Sequence, residues 1–330
     1  GQVLKPVIGM LGFSLSFAIP FTLFAFFPQW LNKMPKSGGW LNSVKVVLGF
    51  IELAFALKFL NVPDQTYHWG MLGREVYLAI WISIFTLLGF YLLGKIKFKN
   101  DSELKHVGVF RLFLAIATFA FVIYLIPGMI GAPLKSISGL LPPQSSHSFD
   151  LMTMINNSKA TSKVKVDERS SLCEAPKYAD FLHLPYGLEG YFDYNQALAC
   201  AKAQKKPLFI DFVGHSCSNC KEMEAKVWSD PRVLEKLRND YVIVALYIDE
   251  RFELPEDEWV TSKIDGKVKK TIGKRNADFQ ISHFNINGQP YYVLLDSHEQ
   301  TLVEPRGYNT DIDAFIKFLD KGIEEYKKRN

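Results

Sequence analysis

Cys217-Ser218-Asn219-Cys220 lies between a short apolar run, Pro207–Val213 (PLFIDFV), and a helical pattern over Lys221–Trp228. A strand–Cys–helix order puts Cys217 at a helix N-terminus, where unpaired N–H groups and the macrodipole favour an anion. In such a place a thiol pKa can fall from ~8.5 to ~3.5–7.5, and the thiolate is the species that attacks a disulfide. Cys220, one turn further on, can then attack the mixed disulfide and release the product. The rival chemistry is half a zinc site, which needs two more Cys or His ligands at suitable spacing. There is no second C-x-x-C and the seven His are scattered singly, so the reading favours thiol exchange with no metal and no cofactor beyond a redox-active Cys217–Cys220 disulfide. His215, two residues before Cys217, either modulates it or is a solvent-facing loop residue.

The chain has two further cysteines, Cys173 and Cys200, about 27 residues apart. As a disulfide they would fasten the chain before the domain to its first helix, worth ~3 kcal/mol in the chain-entropy model. Alternatively Cys200 is a small buried hydrophobe beside Ala197 and Ala201, with Cys173 a free thiol. The helical spacing tips the reading slightly towards the second.

The elements that must hold the Cys pair alternate. Tyr194–Gln204 reads as a helix, Pro207–Val213 and Tyr241–Ile248 (YVIVALYI) as buried strands, and Asp230 caps a helix with Pro231 at its first position. Tyr291–Asp296 and Thr301–Pro305 are expected to pair across a turn at 297–300. In the final helix Ile312, Phe315, Ile316, Leu319, Ile323 and Tyr326 share one face, with Thr310 and Asp313 as a capping box. Short buried strands alternating with helices indicate an α/β domain with an open sheet.

The first part of the chain is different. Residues 1–131 hold 11 Lys+Arg and 5 Asp+Glu and no Cys, whereas residues 132–330 hold 27 and 29. The chain is 48% hydrophobic, too apolar for disorder. The charge distribution speaks against a nucleic-acid reader, because the basic excess sits in the apolar half and the polar half is acidic. Val7–Phe27, Val76–Gly94 and Leu112–Leu134 are uncharged and long enough to cross a bilayer, and Ser43–Leu60 is a weaker fourth span interrupted by Lys45, Glu52 and Lys58. Pro20 and Pro127 either line a cavity or make packed kinks. Glu52 is either functional or paired with Lys45 on the same helical face. Loops 28–42 and 95–111 are Lys-rich and 61–75 is not, so the first two face the cytoplasm and everything after about residue 135 is delivered outside. Residues 1–134 therefore form a transmembrane helical domain, 135–185 a tether, and 186–330 the α/β domain. The start at Gly1, with no signal peptide, reads as a piece of a longer protein.

The run D-F-x-x-x-x-C-x-x-C-K from Asp211 to Lys221 resembles the thioredoxin superfamily, and Gln289-Pro290 before YYVLLD resembles its cis-proline. The resemblance implies that Asp211 is the buried acid beneath the Cys pair and that Pro290 lies beside the sulfurs. Ser216, Ser218-Asn219 and an apparent insertion at 251–280 depart from a general cytosolic thioredoxin. K-E-M-E at Lys221–Glu224 and PKSGGWLNSVKVVLGF at Pro35–Phe50 are similar to the DsbD family of membrane thiol:disulfide interchange proteins. That resemblance implies that Glu224 tunes the nucleophile, and that the chain is a multi-pass protein of the bacterial inner membrane with its thioredoxin-like domain in the periplasm. It also implies a protein-disulfide reductase supplied by cytoplasmic thioredoxin through a missing upstream membrane domain, which carries the membrane cysteines. Its acceptors would be periplasmic thiol/disulfide proteins, with cytochrome c maturation partners among them. A tethered oxidase or isomerase, and a non-enzymatic metal-handling protein, are the competing readings.

Overall fold

The computed structural model describes residues 4–26, 40–99, 101, 103–104, 106–147 and 172–329. The basic residues Lys33 and Lys36 and the centre of the expected tether, 148–171, lie outside the described residues. Four long helices come first: α1 (Leu4–Phe26), α2 (Trp40–Thr66), α3 (Arg74–Leu92) and α4 (Val109–Leu125). Two stretches, Arg74–Leu92 and Val109–Ile130, are long and apolar enough to cross a membrane.

Pro20 lies inside α1, which continues through it, and α2 extends past Leu60 and through Pro63. The expected span Leu112–Leu134 is divided. Its α-helix stops at Leu125, and Ile126–Ile130 forms a 3-10 turn closed by Gly131 in the left-handed conformation. Pro127 causes this, since it has no N–H to continue the α ladder and its ring crowds the preceding turn. The helices pack through Tyr77, Leu78, Trp81 and Ile84 of α3 against Ala54, Leu125, Leu134 and Leu141. Trp81 Nε1 donates to Ala54 O at 3.0 Å. Phe59, Phe110 and Phe113 point outward, each more than two-thirds exposed, an apolar surface of the kind lipid or further helices cover. Lys45 and Glu52 are both exposed, and among the described residues no ion pair joins them.

The α/β domain is built on a three-stranded sheet ordered β2-β1-β5, from β1 (Leu208–Val213), β2 (Val242–Tyr247) and β5 (Tyr291–Leu295). β1 runs parallel to β2, with Asp211 opposite Ala245, and antiparallel to β5, with Asp211 opposite Tyr292. Every residue of β1 and β2 is buried, as expected of strands covered on both faces. On one face Phe209 and Tyr292 meet Trp228, Val233, Leu237, Phe315 and Leu319. These come from the segment after the Cys pair, from α7 (Pro231–Asp240) and from α9 (Ile312–Arg329). On the other, Leu208, Ile210 and Phe212 meet Ala197, Leu198 and Cys200 of α5 (Tyr194–Gln204), and Phe279 and Phe284 of α8 (Ile272–Phe284).

Local features correct or refine the sequence reading. Cys173 and Cys200 form a disulfide, with Cα atoms 5.5 Å apart, against the lean towards separate thiols: Cys200 is buried on α5 and still faces the segment that carries Cys173. Thr301–Pro305 does pair with β5 across the turn, but through isolated bridges rather than a full strand: Leu295 bridges Thr301, Leu302 N–H donates to Leu294 O at 2.8 Å, and Arg306, just past the run, bridges Tyr292. Asp311, rather than Thr310, accepts from Ala314 N–H at the start of α9, at 2.9 Å. Both ends of the expected tether are packed: Leu141 and Leu182 are each almost wholly buried. The stretch 251–280 forms the two-stranded pair β3 (Val260–Thr261) and β4 (Val268–Lys269), then enters α8.

Candidate redox site

β1 ends at Val213, and the loop Gly214–Ser216 delivers Cys217 to the start of α6 (Ser218–Met223). Asp249, just past the parallel neighbour β2, fixes that loop. Its Oδ1 accepts from His215 N–H at 2.8 Å, and its Oδ2 accepts from Ser216 N–H at 3.0 Å and from Ser216 Oγ–H at 2.8 Å. Cys217 and Cys220 are joined in a disulfide with Cα atoms 5.3 Å apart. Cys217 is half-buried, whereas Cys220 is only 3% exposed. Cys217 Sγ occupies the capping position and accepts from Cys220 N–H at 3.1 Å, so one of the unpaired donors of the first turn already points at sulfur.

Two acids lie on the elements that flank the pair, Asp211 on β1 and Glu224 directly after α6. Asp211 is buried on β1, and its Oδ1 has no hydrogen-bond partner among the described residues. Burial, with Glu224 adding to it, pushes its pKa well above the carboxylate range. Glu224 opens a π-turn, Glu224–Trp228, that interrupts the helical path directly after α6; such turns gather at functional sites. Burial raises its pKa to about 7, against the pull of Lys221 and Arg74. Lys221 is pushed down to about 8, chiefly by burial. A buried acid that holds a proton near neutrality is suited to give or take one during thiol exchange. The peptide Gln289–Pro290 is cis and leads directly into β5, the strand paired with β1.

His215 is not a solvent-facing loop residue. Its ring is 6% exposed and stacks on Tyr247 with centroids 4.5 Å apart, and its Nε2 lies 2.8 Å from Glu250 Oε2. Glu250 is buried too. Its Oε1 accepts from Arg251 and Phe252 N–H and lies 3.0 Å from His68 Nε2. Burial works against its charge, yet His215, Phe252 N–H and His68 hold its pKa below the usual range.

His68 belongs to the turn after α2, so this contact joins the helical half to the α/β domain. Two more do the same. Lys58 Nζ of α2 donates to Ser218 Oγ at 3.0 Å, and the 3-10 turn Ser138–Leu140 lies along α6. A Cβ on Gly139 would stand 3.2 Å from Ser218 O, so that approach depends on glycine. The redox face therefore points at the helical half. Lys58, His68, Asp249 and Glu250 were missed in the sequence. Asp249-Glu250 carried a usable signal, because residues at the C-terminal end of a parallel strand gather beside the neighbouring strand's exit loop. His68 and Lys58 carried none, since only the packing of the two halves brings them near. Among the described residues no group of three or more His, Cys, Asp or Glu side chains could hold a metal ion.

Sequence similarity to known proteins agrees with a thiol–disulfide site. Residues 194–323 match the thioredoxin-like domain family. The chain is 26% identical to the thiol:disulfide interchange protein DsbD of Pseudoalteromonas atlantica over 68% of its length and 30% of that protein's. It is 24% identical to DsbD of Campylobacter jejuni over 81% of its length and 35% of that protein's. A solved structure titled "DsbH Oxidoreductase" aligns with 43% of this chain and 91% of its own, with a TM-score of 0.32 and 16% identity. The chain spans about a third of the length of the curated relatives it matches. The similarity runs well beyond the thioredoxin-like domain and matches the C-terminal part of the DsbD proteins, as the Cys pair and the sequence resemblance imply.

Proposed function

We propose that this chain is the membrane-tethered output end of a protein-disulfide reductase. Cys217 is the attacking thiol, Cys220 the resolving thiol, Asp211 and Glu224 the proton-handling acids, and Pro290 a positioning residue beside the pair. Electrons come from an upstream membrane domain of the same full-length protein, fed by cytoplasmic thioredoxin. They leave to thiol/disulfide proteins of the periplasm, cytochrome c maturation partners among them. The helices α1–α4 are four spans of the inner membrane, and the thioredoxin-like domain is periplasmic.

One observation carries the reading. The Cys217–Cys220 disulfide links a half-buried sulfur at a helix start to a buried one a turn later, as attack by one thiol and resolution by the other requires. The orientation has support of its own. The domain sits on the end of the helices made by 61–75 and 131–147, whereas Lys95, Lys97 and Lys99 follow the opposite end of α3. A Cys220→Ser variant should accumulate mixed disulfides with partner proteins, resolved on non-reducing gels, and Cys217→Ser should accumulate none. Equal trapping by both, or trapping by Cys217→Ser alone, rejects the assignment.

A further inference from the structure

Two cations of the helical half reach the redox face. Lys58 Nζ is bonded to Ser218, the residue immediately after Cys217, at 3.0 Å. Arg74, which donates to Pro142 O at 2.6 Å and Pro133 O at 3.2 Å, lines a narrow cleft with Lys221, Glu224 and Tyr186. Neither residue belongs to the thioredoxin-like domain, so its surroundings gain both charges only while it is seated on the helical half. We propose that Lys58 and Arg74 are positioning residues of the redox couple: in the seated arrangement they favour the Cys217 thiolate, and hence the reduced form of the pair.

The proposal rests on reading Cys217–Cys220 as redox-active. The disulfide is neutral, whereas the reduced pair carries negative charge when Cys217 is a thiolate. A fixed cation nearby therefore stabilises one redox state and not the other. Asp249, bonded to His215 and Ser216 just before Cys217, and Asp211 and Glu224 on the flanking elements act in the opposite sense whenever they ionise. Lys221 reports the same field: after burial, Lys58 and Arg74 are among the groups that lower its pKa. In the reaction a donor dithiol gives two electrons and two protons. Its own S–S bond forms, the Cys217–Cys220 bond breaks, Cys220 keeps one proton as a thiol, and Cys217 releases the other to solvent as its thiolate forms. When the domain leaves the seat it loses both cations, and the electron pair becomes easier to pass on. Seating thus favours loading, and departure favours unloading.

The test uses the whole chain in detergent, comparing wild type with Lys58→Met, Lys58→Gln and Lys58→Arg. Two quantities are read: the midpoint pH of Cys217 alkylation by iodoacetamide in the reduced chain, and the reduced fraction in glutathione buffers. The neutral variants should raise the midpoint and shift the glutathione equilibrium towards the disulfide by about tenfold, the equivalent of one pKa unit. Lys58→Arg should restore both. Wild-type values in Lys58→Met and Lys58→Gln overturn the proposal, as does a Lys58→Arg variant as shifted as the neutral ones. A wild-type pair that never exchanges with glutathione is a different result: it removes the redox reading itself, and this proposal with it.

Discussion

Glu224 is the residue whose chemistry is most tightly set by its surroundings. It sits in the π-turn after α6, close enough to Asp211 to oppose that acid's charge. Its pKa is raised from 4.5 to about 7, so between those values the folded chain binds a proton that the unfolded chain has released. Stability then falls as pH rises through that window. Thermal melts of the oxidised chain between pH 5 and pH 8 should show this decline, and Glu224→Gln should make it shallower. An unchanged slope would remove Glu224 as the titrating group. Asp211, raised for the same reason, leaves a residual slope in the variant. At this scale much was legible in the sequence: the Cys pair, the acid two residues before the end of β1, and the helix start that caps Cys217 are local features. His215 was half-legible. Its place near the pair follows from the chain, but its burial against Tyr247 and Glu250 depends on where β2 ends.

At the scale of elements, the end of β2 is the hinge of the arrangement. Asp249 fixes the loop before Cys217, Glu250 meets His215 and His68, and the start of α8 presses on the same backbone. A Cβ on Gly273, in the first turn of α8, would stand 2.5 Å from Glu250 N and 2.6 Å from Glu250 O. Backbone cannot yield as a flexible side chain can, so Gly273→Ala should cost about 1–3 kcal/mol in denaturant unfolding, the usual range for overpacking. A wild-type unfolding midpoint would show that α8 is free to shift away. The helices and buried strands of this domain were readable because their periodicity and caps are local; Tyr194–Gln204 and the Asp230–Pro231 cap are examples. The short segments were not. Thr301–Pro305 has strand composition but pairs with β5 only through isolated bridges, and the residues at 251–280 gave no sign that they lead into a helix covering the sheet.

For the whole molecule, the decisive fact is the side of the helical half on which the domain sits. A periplasm-only reporter fused after Asn330 should be active, because the seat lies at the end of the helices remote from Lys95, Lys97 and Lys99. Strong activity of a cytoplasm-only reporter at that place would invert the topology and the substrate class with it. Charge counts and apolar runs made the two-part organisation visible from the sequence alone. The seat itself was not visible, because it is assembled from Lys58, His68, Gly139, Ser218 and Glu250, which are far apart in the chain. The Cys173–Cys200 bond is an intermediate case: the spacing allowed it, and only the packing of the segment around Cys173 against Tyr191 and α5 decided it.

The turn Ser138–Leu140 lying along α6 has a kinetic consequence. While it is there, the face that carries Cys217 is occupied, so on the proposed function an incoming oxidised protein and the helical half would compete for the same few residues. Reduction of the pair and reduction of the acceptor must then alternate rather than pass through a ternary complex. Steady-state rates measured against both substrates should trace the parallel double-reciprocal lines of a ping-pong sequence, and excess acceptor should inhibit by holding the domain away from its source of electrons.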